Sequence, residues 1–337
     1  KSAPDIENKT PINQTISKVR QAFNTPYMRF GGYGLFMYRY SDIAPVKHNM
    51  EARVIFLSMR GELTKNFKYF ILAEFVKPMP YEFYGEWTPA NEFNLKFGQM
   101  KVPISLENQM SLTDIEGVLN TRSISALVGM GDDVLALQNN KNNTGRDVGI
   151  QAYGSLLKTP THNLLEYGIG VYQGTGINTS ETNNNKDLAV NLLIQPIKGF
   201  RIGGGAYFGD ATYTKTGETN VSNHVRNRWL VNSDYKSDRF YARAEWIIAN
   251  DGGIKKEGLH GVGLYYLLPK KLNAFAKIDY LNQDKDLNKE VMDYTLGLNY
   301  YFYGPCRFQL NYTYSDFSTS WAAPNSNTVL GQLQIVF

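Results

Sequence analysis

The stretch MDYTLGLNYYFYGPCRFQLNYTYS, Met292–Ser315, decides the fold. Its first half puts Tyr294, Leu296, Leu298, Tyr300 and Phe302 on one face, and Asp293, Thr295, Gly297 and Asn299 on the other. Its second half sets Phe308, Leu310, Tyr312 and Tyr314 against Arg307, Gln309, Asn311 and Thr313. A period of two, interrupted at Gly304-Pro305-Cys306, reads as two strands joined by a tight turn, with one apolar and one polar face. A helix would scatter these apolar positions around its circumference.

The pattern runs outward from this hairpin. KDLAVNLLIQP (186–196) sets Leu188, Val190, Leu192 and Ile194 against Asn191 and Gln195. FYARAEWII (240–248) sets Phe240, Ala242, Ala244, Trp246 and Ile248 against Tyr241, Arg243 and Glu245. About sixteen such segments follow one another, from Tyr27–Tyr40 to Asn327–Phe337. Two of them, 51–63 and 67–76, alternate poorly, with VIFL and YFILA apolar on both faces.

The connections carry the architecture. Counted back from the C-terminus, every second one is tight: 304–306, 268–272, 236–238, 196–199, 156–162, 89–91 and 64–66. Those between are mostly longer and polar, as at 317–326, 209–225 and 174–185, and the longest is 102–146. Short turns at one end and long loops at the other belong to outer-membrane barrels. A soluble propeller or sandwich also alternates, but no repeat of about 40 residues is visible. In hydrocarbon an unpaired backbone group costs several kcal/mol, so a spanning sheet must close on itself. The sequence therefore predicts an all-β fold: a transmembrane antiparallel β-barrel of about 16 strands, with short periplasmic turns and long extracellular loops. Residues 1–26 would form an N-terminal periplasmic segment and 27–337 the barrel. Aromatic girdles are expected at the interfaces, from stretches such as YGLFMYRY (33–40), YEFYGEW (81–87) and YYFY (300–303).

Composition excludes other classes. A formal net charge of +4, spread along the chain, gives no basic patch for nucleic acid. No apolar run is long enough for a membrane helix. Cys306 is the single cysteine, so no internal disulfide forms. His48, His162, His224 and His260 lie far apart, without metal-ligand spacing, and read as surface residues. Asp132-Asp133 could touch calcium but reads as a solvated acidic turn. The glycine runs FGGYG (30–34) and IGGGAYFG (202–209) open no helix, so neither is a phosphate-binding loop. No GxSxG or other catalytic constellation appears, so no enzyme, cofactor or metal is expected.

Three stretches resemble the phosphate-selective porin O and P family: FLSMRGELTKNFKYFILAEF (56–75), NEFNLKFGQMKVPISLEN (91–108) followed by SISALV (123–128), and RDVGIQAYG (146–154). YGIGVYQGTGIN (167–178) and RFYARAEWI (239–247) add weaker support. The resemblance implies an outer-membrane porin of 16 strands, a homotrimer, whose loop 102–146 folds inward and narrows the pore. Glu107, Asp114, Glu116 and Arg122 would then sit at the constriction. It also implies phosphate or another anion as solute, and recognition of the terminal Phe337 by the outer-membrane assembly machinery.

Alternation points a set of charged residues at the lumen. The basic ones are Arg29, Arg39, Lys96, Arg201, Arg226, Arg228, Arg243, Lys277 and Arg307. The acidic ones are Glu82, Glu86, Asp147, Glu166, Asp234, Glu245, Asp279 and Asp293. The loop adds Asp132 and Asp133 to its other acids, against Arg122, Lys141 and Arg146. This near balance implies passive diffusion of small hydrophilic solutes with a weak ion preference, since selection needs one sign to dominate where the walls are close. The competing reading is a barrel that serves as scaffold or docking component of a larger membrane complex. At the C-terminus, LGQLQIVF (330–337) puts Leu333, Ile335 and Phe337 toward lipid and Gln332 and Gln334 toward the lumen, so this strand should pair with the first.

Overall fold

Tyr33 pairs with Val336 and Ser41 with Thr328, which joins the first strand, β1 (Arg29–Ser41), to the last, β17 (Ser326–Val336). That seam closes the sheet. Gly32 and Phe337 exchange backbone hydrogen bonds of 3.0 Å below it, so the terminal residue is part of the closure. The computed structural model describes residues 24–25 and 27–337. Most of the expected segment 1–26 lies outside the described residues.

Between the seam strands run β2 (His48–Thr64), β3 (Phe67–Glu74), β4 (Met79–Trp87), β5 (Asn94–Lys101), β6 (Arg146–Lys158), β7 (Asn163–Tyr172), β8 (Asp187–Ile197) and β9 (Phe200–Phe208). They continue as β10 (Asp210–Tyr213), β11 (Ser222–Lys236), β12 (Phe240–Asp251), β13 (Ile254–Leu268), β14 (Leu272–Asn282), β15 (Glu290–Tyr303) and β16 (Cys306–Phe317). Each pairs antiparallel with its neighbour, and β9 pairs with β11. The short β10 only extends β11 upward within the connection expected as a loop, so the barrel itself has 16 strands. Two connections at the loop end, 75–78 and 252–253, are as tight as the turns.

Along β15 and β16 the outward residues are exposed and the inward ones, among them Asp293, Asn299, Arg307, Gln309 and Asn311, are buried in the lumen. In β17, Leu330, Gln332 and Gln334 are buried while Phe337 is two-thirds exposed. This alternation breaks at two bulges. Leu35 pairs with Val54 but Phe36 with Ala52, leaving Arg53 as an extra residue on β2. Leu72 pairs with Glu82 but Ala73 with Pro80, leaving Tyr81 as an extra residue on β4. A bulge places two consecutive side chains on one face, and both Arg53 and Tyr81 join the inner wall.

The connection 102–145 enters the barrel. It carries three short helices, α1 (Leu106–Gln109), α2 (Arg122–Leu127) and α3 (Leu135–Asn139). Ile104, Ile124 and Leu127 are fully buried against Leu230, Ile247, Leu281 and Val291 on the inner face of β11–β15. Part of the inner wall is therefore apolar, because a loop and not water covers it. Gly258 on β13 allows this close approach: a Cβ there would lie 2.7 Å from the Ser123 Cβ. At the loop's exit, Gly145 has φ +66 and a Cβ would meet Asn108 Oδ1 at 1.9 Å, so only glycine fits.

Candidate functional site: the constricted pore

The inward loop is held on one side of the lumen by side chains of β11–β16. Arg243 reaches Glu107 at 2.7 Å and Glu116 at 3.0 Å, with all three side chains buried. Arg226 and Arg228 converge on Asp133 at 2.9 and 3.3 Å, and Arg228 also binds Asp251 at 2.6 Å. Glu245 accepts from the backbone N–H groups of Leu106 and Glu107, each at 2.8 Å, and from Ser105 Oγ. Asp279 accepts from the Arg122 and Ser123 N–H groups, and the Arg122 side chain pairs with Asp293 at 2.8 Å. Arg307 donates to the Ile115 carbonyl, and Asn311 accepts from the Val118 N–H.

These contacts tune the loop's own carboxylates. Burial alone would raise the Glu107 carboxyl, but the Arg243 guanidinium, with His260, Lys277 and the Thr121 N–H, brings it down to about 2. Its contribution to holding the loop is fully present above the ordinary range near 4.5 and is lost as pH falls through about 2. Asp133 is likewise held well below the usual carboxylate range, against its burial, by Arg226 and Arg228. It is 2% exposed and engaged by two guanidiniums, so the expected solvated turn gives way to a buried anchor. His260, expected at the surface, is 1% exposed and lies 3.8 Å from Glu107 and 3.6 Å from Glu245.

The remaining space lies between the loop and the wall, the lower part against β1–β5 and the upper part mainly against β14–β17. An upper chamber of about 340 Å³ and a lower one of about 1000 Å³ share Arg53, Asn120, Met130 and Asn142, which stand between them. The upper chamber is balanced: Arg39, Arg53, Arg122 and Lys277 face Asp132, Asp279 and Asp293. The lower one is one-sided. Arg29, Arg53, Arg60, Lys77, Lys96, Lys101, Lys141 and Arg146 line it against Glu74, Glu82 and Glu107. Each of those acids is engaged: Glu82 by Arg146 at 2.6 Å, Glu107 by Arg243, and Glu74 by the Val76 and Lys77 N–H groups at 2.7 Å. Among the described residues, Arg29, Arg53, Arg60, Lys77, Lys101 and Lys141 meet no carboxylate within 4 Å. Arg53 donates to the Val118 carbonyl at 2.5 Å and Gln332 Oε1 at 3.1 Å, contacts that leave its charge uncompensated.

A profile of the phosphate-selective porin O and P family matches residues 32–337. The chain belongs to the phosphate-selective porin O and P family. No curated protein sequence matches it. An anion-selective porin from Comamonas acidovorans is similar in structure, with a TM-score of 0.70 at 10% identity, covering 92% of this chain and 99% of that one. OmpF of Salmonella typhi in complex with daunomycin gives 0.67 at 13% identity, covering 92% and 97%. In-vitro folded OmpT of Vibrio cholerae, in a trimer form, gives 0.60 at 11% identity, covering 92% and 99%. The protein is an outer-membrane porin channel, with its turns periplasmic and its long loops extracellular.

In this porin the charged residues chosen by alternation fall into three groups. Arg29, Arg39, Lys96, Lys277 and Glu82 line the chambers, and Glu86 pairs with Lys96 at 3.4 Å. Arg201 forms a half-buried ladder with Asp234 at 2.6 Å and Glu166 at 3.2 Å near the periplasmic end. Arg226, Arg228, Arg243, Glu245 and Arg307 point inward but are covered by the loop, and Asp147 is buried under the Val148 and Gly174 N–H groups. They correct the expectation that inward means pore-lining, because the loop removes that half of the wall from water. Of the constriction-loop residues, Asp114 is exposed, while Glu107, Glu116 and Arg122 act as anchors to Arg243 and Asp293.

Sequence reasoning left Arg53 out. Strict alternation assigns it to the lipid face, and the bulge reverses that. One signal was available: a guanidinium at mid-membrane facing lipid costs roughly 2–4 kcal/mol, so Arg53 amid ARVIFL had to be turned toward water.

Proposed function

We propose that this porin conducts small hydrophilic solutes by passive diffusion and prefers anions over cations. The observation that carries the reading is the lower chamber, where, among the described residues, six basic side chains stand without a carboxylate partner and each lining acid is already engaged. In a narrow space walled by low-dielectric protein, uncompensated charge of one sign raises the local concentration of counter-ions. Arg53 is the key group, because it lines both chambers and stands where they meet. Phosphate is one candidate solute that the family description supports. This reading puts a definite anionic preference in place of the weak one that the balanced sequence count implies.

The remaining assignments are part of the same proposal. Three copies assemble, as in the trimer form of OmpT. Residues 27–337 form the barrel and 1–26 a periplasmic extension. Phe337, exposed at the periplasmic rim, is the signal read by the assembly machinery. The channel has no catalytic role.

Ion substitution in planar bilayers tests the reading. Replacing chloride by a bulky anion should lower single-channel conductance more than replacing potassium by a bulky cation. An equal or reversed effect would remove the anion preference, and the lack of any steady current would favour the scaffold reading.

A further inference from the structure

We propose that the lower chamber is a binding subsite for small organic anions with a ring-sized apolar body, aromatic sulfonates and carboxylates being the class, ahead of inorganic phosphate. This rests on the anion preference proposed above.

A passage for hydrated ions alone calls for a polar lining. Here the inner wall of β1–β4 is aromatic. Phe56 packs edge-on to Tyr81 with ring centroids 4.6 Å apart, Tyr33 lies 5.2 Å from Phe56, and Phe70 lies 5.5 Å from Tyr84. Phe56 is the buried base at 1% exposure, while Tyr33, Phe70, Tyr81 and Tyr84 are only half-buried and keep open surface on the chamber. Across the gap, the inward loop turns Met110 and Leu112, both half-buried, toward these rings. This is why β2 and β3 read as apolar on both faces: one face meets lipid and the other meets the pore.

Cations border the rings. Arg146 sits 5.2 Å from the Tyr81 ring centroid and Lys96 5.1 Å from that of Tyr84. Both are already paired, Arg146 with Glu82 and Lys96 with Glu86, so a bound anion lays its apolar body on the rings and its charged end against the unpaired Arg53 of the same chamber, as offset aromatic and charge-assisted contacts require. The two bulges point to the same site, because the extra inward residue is a cation in one case, Arg53, and an aromatic in the other, Tyr81. A volume of about 1000 Å³ suits a small organic ligand. Inorganic phosphate fits the wall poorly, since rings and thioethers cannot replace its water shell.

The test compares two permanently charged probes that differ in the ring alone. Benzenesulfonate and methanesulfonate are titrated against the chloride current of the intact porin in planar bilayers, with inorganic phosphate as a third probe. Benzenesulfonate should halve the current at about tenfold lower concentration than methanesulfonate or phosphate, the difference one added aromatic contact supplies. In a Phe70→Ala/Tyr81→Ala double variant the benzenesulfonate value should rise to that of methanesulfonate. Equal potency of the two sulfonates in the unaltered porin, or greater potency of phosphate, overturns the subsite whether or not the variant folds. If chloride carries the larger share of current in that same experiment, the anion preference survives the subsite's failure; if potassium does, both fall.

Discussion

The two halves of the inner wall carry charge in opposite ways. On β11–β16 nearly every inward charge is bound to the loop: Arg243 to Glu107 and Glu116, Arg226 and Arg228 to Asp133, and Arg122 of the loop to Asp293. On β1–β5 and the tight 75–78 connection, Arg53, Arg60, Lys77 and Lys101 have no carboxylate partner among the described residues. The first wall fixes the loop through ion pairs; the unpaired cations of the second touch it only through backbone carbonyls, Arg53 at Val118 and Lys101 at Met110, and their charge stays uncompensated. Counting charged residues by face merges the two, so it returned a balance. Paired charges cancel over a few ångströms, and only the unpaired remainder sets the field that an ion meets.

This contrast can be broken from either side. The largest effect is expected for Arg243→Ala. It leaves Glu107 and Glu116 buried without their cation, which typically costs about 3–5 kcal/mol. The thermal unfolding temperature of the barrel should fall and single-channel conductance should rise as the loop loosens. Arg53→Ala, on the other wall, should cost less, about 1–3 kcal/mol for its hydrogen bonds to the Val118 carbonyl and Gln332, while lowering the anion preference, since the group forms no ion pair. If Arg53→Ala unfolded the barrel as readily as Arg243→Ala, the division between anchoring and presenting walls would be wrong.

A charge reversal sharpens it. Arg53→Glu should reduce the anion-to-cation permeability ratio by about tenfold, or ~1.4 kcal/mol, because the change falls where the two chambers meet and screening is incomplete. Glu107→Gln should have a smaller effect, about 1–3 kcal/mol of stability from one weakened charge-assisted bond, read by the same thermal measurement. The smallest effect is expected at Arg39→Gln. This residue is exposed and lies in the upper chamber, where opposite charges are close by, so the permeability ratio should move by about twofold at most.

Much of the fold was legible because a membrane imposes it. Period-two alternation in 292–315 and the alternation of short and long connections gave the strand number, the seam and the lipid-facing residues. The site was less legible, for two physical reasons. A bulge shifts the face of a side chain without any mark in the local pattern, which hid Arg53 and Tyr81. A long polar loop gives no sequence signal for the wall on which it will lie. The loop's apolar residues Ile124 and Leu127 and the inward Leu230 and Ile247 record the contact. They become interpretable only once the barrel places them face to face.

The central claim, that unpaired cations on one wall make this pore anion-preferring, is tested most directly by the zero-current potential of the unaltered porin in a tenfold KCl gradient. A pore passing only one ion would sit about 59 mV from zero. The potential should lie well toward the chloride limit. A value near zero, or one toward the potassium limit, would contradict the account.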